Sequence, residues 1–152
     1  MCILGVRCSS SDFSYVVIRG PRSLPEIIAS ATIAFPKGFS RSQELKWLAQ
    51  ELESLVGRHK PRAIGLKGTE GQASRGAPFV RRVENEAIAF LVAAENGITH
   101  VVRRVNSSIA KGLGLKGKAR YLTTHLDTSA IAEYTSYPDK VRDALLVAWS
   151  LC

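Results

Sequence analysis

Apolar and polar residues recur along the chain with two different periods, and these periods predict a mixed α/β fold. Short runs rich in β-branched residues at 2–7 and 14–20, separated by a serine-rich turn, predict an antiparallel hairpin. A third strand is predicted at 29–35. Leucines then recur at helical spacing over 43–57, which predicts an amphipathic helix.

The second half of the chain alternates between the same two periods. Apolar runs predict strands at 62–66 and 98–103, and helical spacing predicts a helix between them at 78–96. Two further helices are predicted at about 117–127 and at 138–151. The predicted order is therefore three strands, then helix, strand, helix, strand and two helices.

This order predicts a five-stranded mixed sheet in a single domain over residues 1–152. Three antiparallel strands come first, two more are joined by helical crossovers, and helices cover both faces. No apolar run approaches the roughly 20 residues of a membrane span, and the N-terminus does not resemble a signal peptide. We expect a cytoplasmic protein without a membrane partner.

The formal net charge of +8 favours an anionic partner. Between residues 75 and 120 nine basic residues stand against three acidic ones. The basic residues are Arg75, Arg81, Arg82, Arg103, Arg104, Lys111, Lys116, Lys118 and Arg120, and the acidic ones are Glu84, Glu86 and Glu95. This interval is the candidate surface for nucleic acid, and a basic surface that serves only solubility is the simpler alternative.

Several short stretches resemble the RuvC-type Holliday-junction resolvase branch of the ribonuclease H-like superfamily. "ILGVRCSS" resembles the first strand of that branch, "ILGIDPGS", and "KPRAIGLKG" resembles its "P-x-x-x-AIE". "VNSSIAKGLGLKGKAR" is similar to its basic segment, and "KVRDALLVAWS" to its last helix, "D-x-x-D-A-L-A-x-A". The resemblance implies the ribonuclease H-like fold over nearly the whole chain.

Active members of that family hold two divalent metals with carboxylates, and the resemblance places most of the equivalent positions on other residues here. The first-strand aspartate falls on Arg7, the fourth-strand glutamate on Gly65, and the first aspartate of the last helix on Lys140. Only the second aspartate of that helix, Asp143, is kept, with Asp139 as a nearby remnant. Arginine at the centre of such a site would repel magnesium, so no bound metal is expected. Arg7 and Asp143 are instead expected to form an ion pair.

The resemblance therefore implies a catalytically impaired RuvC-like protein that binds nucleic acid, or a subunit of a nucleic-acid-processing assembly. DNA is the expected ligand in preference to RNA, and a homodimer is a further expectation. The residues assigned to phosphate contacts are Arg103, Arg104, Lys111, Lys116, Lys118 and Arg120.

Two alternatives remain open at the level of sequence. The first is an active Mg- or Mn-dependent endonuclease with relocated ligands. Its candidate carboxylates are Asp12, Glu70, Glu84, Glu86, Asp139 and Asp143. The second is a protein-interaction module whose basic face binds an acidic protein.

Overall fold

A five-stranded mixed sheet forms the centre of the structure, a computed structural model that describes residues 1–71 and 74–152. The strands are β1 (Cys2–Cys8), β2 (Asp12–Arg19), β3 (Glu26–Ala34), β4 (Ala63–Lys67) and β5 (His100–Arg104). Their order in the sheet is β3-β2-β1-β4-β5. The first three strands pair antiparallel, and β4 and β5 join β1 in parallel. The predicted fold class is confirmed.

Five α-helices accompany the sheet in the described ranges. They are α1 (Arg41–His59), α2 (Ala77–Glu95), α3 (Asn106–Gly112), α4 (Tyr121–Thr124) and α5 (Asp139–Trp149). Two apolar cores result, because β1 and β4 turn alternate side chains to opposite faces. One core packs α1 and α2 against the sheet, and the other packs α3 and α5 against its opposite face. No helix in the described part of the chain is long and apolar enough to span a membrane.

The segment after β5 differs from the sequence prediction. Residues 106–112, for which the sequence predicts neither a helix nor a strand, form helix α3, while the helix predicted at about 117–127 is only the single turn α4. Helix α3 begins there because Ser108 Oγ accepts a hydrogen bond from the Val105 amide, and the Glu70 carboxylate accepts one from the Asn106 amide. Ile109 is fully buried on its inner face. Tertiary contacts, rather than helix propensity, therefore determine this region.

Candidate functional site

Helix α5 lies unusually close to the two central strands because glycine occupies both contact positions. A Cβ atom on Gly5 would lie 2.0 Å from the Ala144 carbonyl oxygen. A Cβ on Gly65 would lie 3.0 Å from side-chain carbons of Val147 and Leu151. Any larger residue at Gly5 would push the helix away from the sheet. This close packing places the first turns of α5 beside the carboxyl ends of β1 and β4.

Arg7 and Asp143 form an ion pair at this point. Arg7 Nε lies 3.3 Å from Asp143 Oδ2, and its guanidinium also donates a hydrogen bond to the Ser9 hydroxyl. The Arg7 side chain is 19% exposed and that of Asp143 34% exposed. The structure thus contains the ion pair expected from the sequence, and the charge of Asp143 is neutralised by Arg7.

The structure places Lys67, not Gly65, beside Arg7. The parallel register pairs Gly5 with Gly65 and Val6 with Leu66, so the next pair along the strands is Arg7 with Lys67. Gly65 lies two residues before Lys67, on the same face of β4, and packs against the C-terminal half of α5. The assignment of the family's fourth-strand glutamate to Gly65 stays a prediction, and the side chain beside Arg7 at the strand end is that of Lys67.

Lys67 is almost fully buried, and its charge is compensated locally. Its ammonium group donates hydrogen bonds to Glu70 Oε1 at 2.9 Å and to the Gly68 carbonyl at 2.8 Å. Burial raises the pKa of Glu70, but the hydrogen bonds from Lys67 and from the Asn106 amide outweigh it, so the pKa lies below the usual range. Glu70 is thus held as a carboxylate, which accepts hydrogen bonds from Lys67 and from the first residue of helix α3.

The two remaining positions on α5 are occupied by opposite charges with separate partners. Lys140 Nζ lies 2.8 Å from Asp12 Oδ2, at the start of β2. The side chain of Asp139 is 91% exposed and pairs with Arg142, one turn further along α5. Asp139 and Asp143 lie one turn apart on α5 and line the same pocket, but each is paired with an arginine.

The residues at these positions do not fit a divalent metal. Three of the four side chains, Arg7, Lys67 and Lys140, are positively charged, and the fourth, Asp143, is already bound by Arg7. Hard divalent cations require several oxygen ligands with net negative charge. Among residues 1–71 and 74–152, no group of three or more His, Cys, Asp or Glu side chains is arranged to hold a metal ion.

The other candidate carboxylates of the relocated site each lie beside a basic partner. Glu86 is buried between Arg103, whose Nε lies 2.8 Å from Oε2, and Arg82, whose Nε lies 3.4 Å from Oε1. Glu84 lies on the exposed side of α2, 3.2 Å from Arg41. Arg82 additionally donates a hydrogen bond to the Lys67 carbonyl at 2.8 Å, which ties α2 to the end of β4.

Arg82 is a site residue that the sequence counted only as part of the basic interval. Burial lowers its pKa, and the neighbouring positive charge of Arg7 lowers it further. Two arginines are thus held near each other at the strand ends. We call Arg7, Lys67, Arg82 and Lys140 the strand-end cations.

The six residues assigned to phosphate contacts fall into two groups. Arg103 is bound to Glu86 and stacks on Phe90, with its guanidinium carbon 5.2 Å from the ring centroid. Arg104 donates hydrogen bonds to the carbonyl and hydroxyl oxygens of Ser150, at 2.9 and 3.0 Å, where α5 ends. Both residues are thus used inside the fold.

The other four, which we call the segment cations, are exposed. They are Lys111, Lys116, Lys118 and Arg120. Within the described chain none of them has a carboxylate oxygen within 4.0 Å, and the Arg120 guanidinium lies over the Tyr121 ring. The end of this segment adjoins the strand ends, because Ala119 and Thr123 line a pocket of about 380 Å³ together with Asp143.

The comparisons with known proteins agree with this fold. The RuvC structure from Thermus thermophilus superposes with a TM-score of 0.75 at 12% identity, over 99% of this chain and 92% of that chain. The same protein in complex with Holliday junction substrate gives a TM-score of 0.76, also at 12% identity and with the same coverage. The yeast mitochondrial Holliday junction resolvase gives 0.64 at 15% identity, over 97% of this chain and 76% of that chain.

Sequence comparisons find no such relation: no protein-family model and no curated protein matches the chain. At identities of 12 to 15% the structural likeness establishes the fold only, so any function has to be argued from the side chains of this chain. The chain has the ribonuclease H-like fold in the form seen in RuvC and other Holliday junction resolvases.

Proposed function

We propose that this protein is a catalytically impaired, RuvC-like protein that binds nucleic acid through its segment cations. One observation supports the loss of catalysis above all others: three of the four side chains at the ends of β1 and β4 and on α5 are cations, and the remaining Asp143 is bound by Arg7. A phosphodiester entering this region would meet positive side chains instead of metal ions. Such a region can bind a phosphate but lacks the ligands for two-metal hydrolysis.

The segment cations support the binding part of the proposal. Exposed lysines and arginines without carboxylate partners lose little on contacting phosphates, and each contact releases counterions from the nucleic acid. DNA is the proposed ligand in preference to RNA, because two of the structures with this fold, from Thermus thermophilus and fowlpox virus, are complexes with Holliday junctions. A role as a subunit of a nucleic-acid-processing assembly is part of the same proposal.

Binding and cleavage measured on one set of substrates test this proposal. Fluorescence anisotropy with four-way junction, duplex and single-stranded DNA and with RNA, over a range of salt, should show affinity that falls steeply with salt. The same substrates should stay intact with Mg²⁺ or Mn²⁺. Cleavage that disappears in Asp143→Asn would instead establish the active endonuclease with relocated ligands. Absence of binding at low salt would refute nucleic-acid binding and leave the protein-interaction module.

A redesign of the strand ends tests the argument about metal ligands. In Arg7→Asp/Lys67→Glu/Lys140→Asp, three carboxylates join Asp143, and Mn²⁺ should raise the melting temperature because it binds the folded state. The control Arg7→Asp/Gly65→Glu/Lys140→Asp introduces the same three carboxylates, but it keeps Lys67 and its glutamate meets Val147 and Leu151. Stabilisation of the unmodified protein by Mn²⁺ would contradict the argument.

A homodimer is also proposed, and it can be tested independently of binding. Helix α2 leaves four large apolar side chains exposed, Val80, Val83, Phe90 and Leu91. Exposed apolar groups of this kind are typical of interaction sites. Sedimentation velocity should give the mass of two chains, and Leu91→Glu should shift it to one; a single-chain mass at all concentrations would refute the homodimer.

A further inference from the structure

A pocket of about 290 Å³ opens beside the Arg7–Asp143 pair, on the side facing α2. Its charged lining consists of Arg7, Arg82 and Lys140, and no carboxylate of the described residues contributes to its wall. The carboxylates that pair with these cations, Asp143, Glu86 and Asp12, lie outside the lining. The pocket therefore presents three cations and no anion to its contents.

Hydroxyl groups complete the polar wall of this pocket. Ser9 and Ser10 come from the turn after β1, and Thr69 from the segment after β4. The Thr69 hydroxyl is buried and has no hydrogen-bond partner among the described residues, whereas Arg82 Nε faces Glu86 Oε1 at 3.4 Å. A buried donor without a partner is unfavourable, so a ligand that accepts its hydrogen bond would be favoured.

The proximity of Arg7 and Arg82 is a second reason to expect that an anion binds in this pocket. The Arg82 side chain is only 13% exposed, and the pKa of its guanidinium is lowered by burial and by the positive charge of Arg7. Its usual pKa is so high that the group remains charged at neutral pH. Glu86 compensates Arg82 from the far side, but nothing negative lies between Arg82 and Arg7 in the pocket wall. An anion in this space would contact both guanidinium groups and relieve their repulsion.

We propose that this pocket is a metal-independent binding site for a phosphate group, held by Arg7, Arg82 and Lys140 with the Ser9, Ser10 and Thr69 hydroxyls. Phosphate matches the lining because it offers several oxygen acceptors to guanidinium forks and hydroxyl donors at once. Pro78 and Phe79 form an apolar part of the rim, which suits the carbon-rich part of a nucleotide. When the phosphate belongs to a nucleic-acid strand, the site rests on the proposed function; when it is a free phosphate ion, it does not.

Titration calorimetry in EDTA at low salt distinguishes these two sources. Inorganic phosphate is titrated into the protein in one arm, and a single-stranded DNA octamer in the other. We expect phosphate to bind without metal. We also expect it to displace the octamer beyond the effect of chloride at equal ionic strength.

Arg82→Gln should weaken phosphate binding about ten- to hundred-fold, because it removes a charged donor from the pocket. Arg82→Lys should retain part of the affinity, since it keeps the charge and loses the fork. The matched control is Lys46→Gln, an exposed cation on α1 outside the pocket and outside the segment cations, which should leave phosphate binding unchanged. Arg7→Gln gives a second test that does not disturb the contact with Glu86.

The outcomes separate the pocket from the proposed function. Phosphate binding that is lost in Arg82→Gln and Arg7→Gln, in a protein that ignores the octamer, would support the pocket and refute nucleic-acid binding. Octamer binding without any phosphate binding would overturn the pocket and leave nucleic-acid binding intact. Phosphate binding that is equally strong in all variants would also overturn the pocket, because another surface would then hold the ion.

Discussion

The strand-end cations and the segment cations carry the same formal charge in opposite surroundings. Arg7, Lys67, Arg82 and Lys140 each lie within 4.0 Å of a carboxylate, and three of them are mostly buried. The segment cations are exposed and have no carboxylate that close in the described ranges. The first group fixes geometry at short range, and the second creates a field that salt screens.

The net charge of +8 counts both groups together, although one group should affect the stability of the fold and the other the affinity for a polyanion. Burying a cation removes it from water, and this is unfavourable unless a carboxylate partner compensates the charge. Removing either partner of such a pair should therefore lower the free energy of unfolding. An unpaired and exposed cation contributes little to folding, so its loss should appear in the affinity for a polyanion. Substitutions in the two groups should therefore affect different measurements.

The largest effect on folding is expected from Glu86→Gln. Glu86 is 1% exposed and compensates Arg82 and Arg103, so its replacement leaves Arg82 buried without a counter-charge. We expect a loss of about 3 to 5 kcal/mol in the free energy of unfolding, measured by urea denaturation. The matched control is Glu84→Gln two residues earlier on α2, where the side chain is 45% exposed and bound to Arg41. That change should cost at most about 1 kcal/mol. Equal losses would show that the buried network does not stabilise the fold.

The largest effect on binding is expected when all four segment cations become glutamine. Each phosphate contact contributes about 0.9 to the slope of log affinity against log salt, so the slope should become shallower by about 3 to 4. A control with the same charge change replaces four exposed cations near α1: Lys37, Lys46, Arg58 and Lys60. It should keep the slope. The same slope change in both variants would mean that net charge, and not this segment, determines the affinity.

The sequence predicted the sheet far better than it predicted the site. Apolar periodicity identifies the strands, and helical connections allow parallel pairing, so the strand order followed from few rules. The sequence alone could not show that Lys67 is the β4 residue beside Arg7, because a shift of two residues keeps every side chain on the same face. The apolar pattern therefore cannot detect it. Only the backbone register with β1 identifies the residue beside Arg7.

The contribution of α2 could not be predicted for a related reason. Helical spacing shows which side of α2 faces the core, but it does not show that Arg82 turns toward the end of β4. That orientation depends on two partners distant in sequence, the Lys67 carbonyl and the Glu86 carboxylate, whose positions are set by the sheet. Charge counting found the basic interval, but it could not separate residues used inside the fold from those left exposed.

The smallest effect concerns Arg104, a residue that the sequence assigned to phosphate contacts. Its guanidinium binds the carbonyl and hydroxyl of Ser150 at the C-terminal end of α5, where a cation also complements the helix dipole. We expect Arg104→Gln to lower the free energy of unfolding by about 1 to 2 kcal/mol and to leave the salt slope of DNA binding unchanged. Lys111→Gln, on the exposed side of α3, should do the reverse: unchanged stability and a slope shallower by about 0.9. A shallower salt slope in Arg104→Gln at unchanged stability would show that Arg104 contacts phosphates. It would then contradict the distinction between Arg104, which is bonded within the fold, and the exposed segment cations.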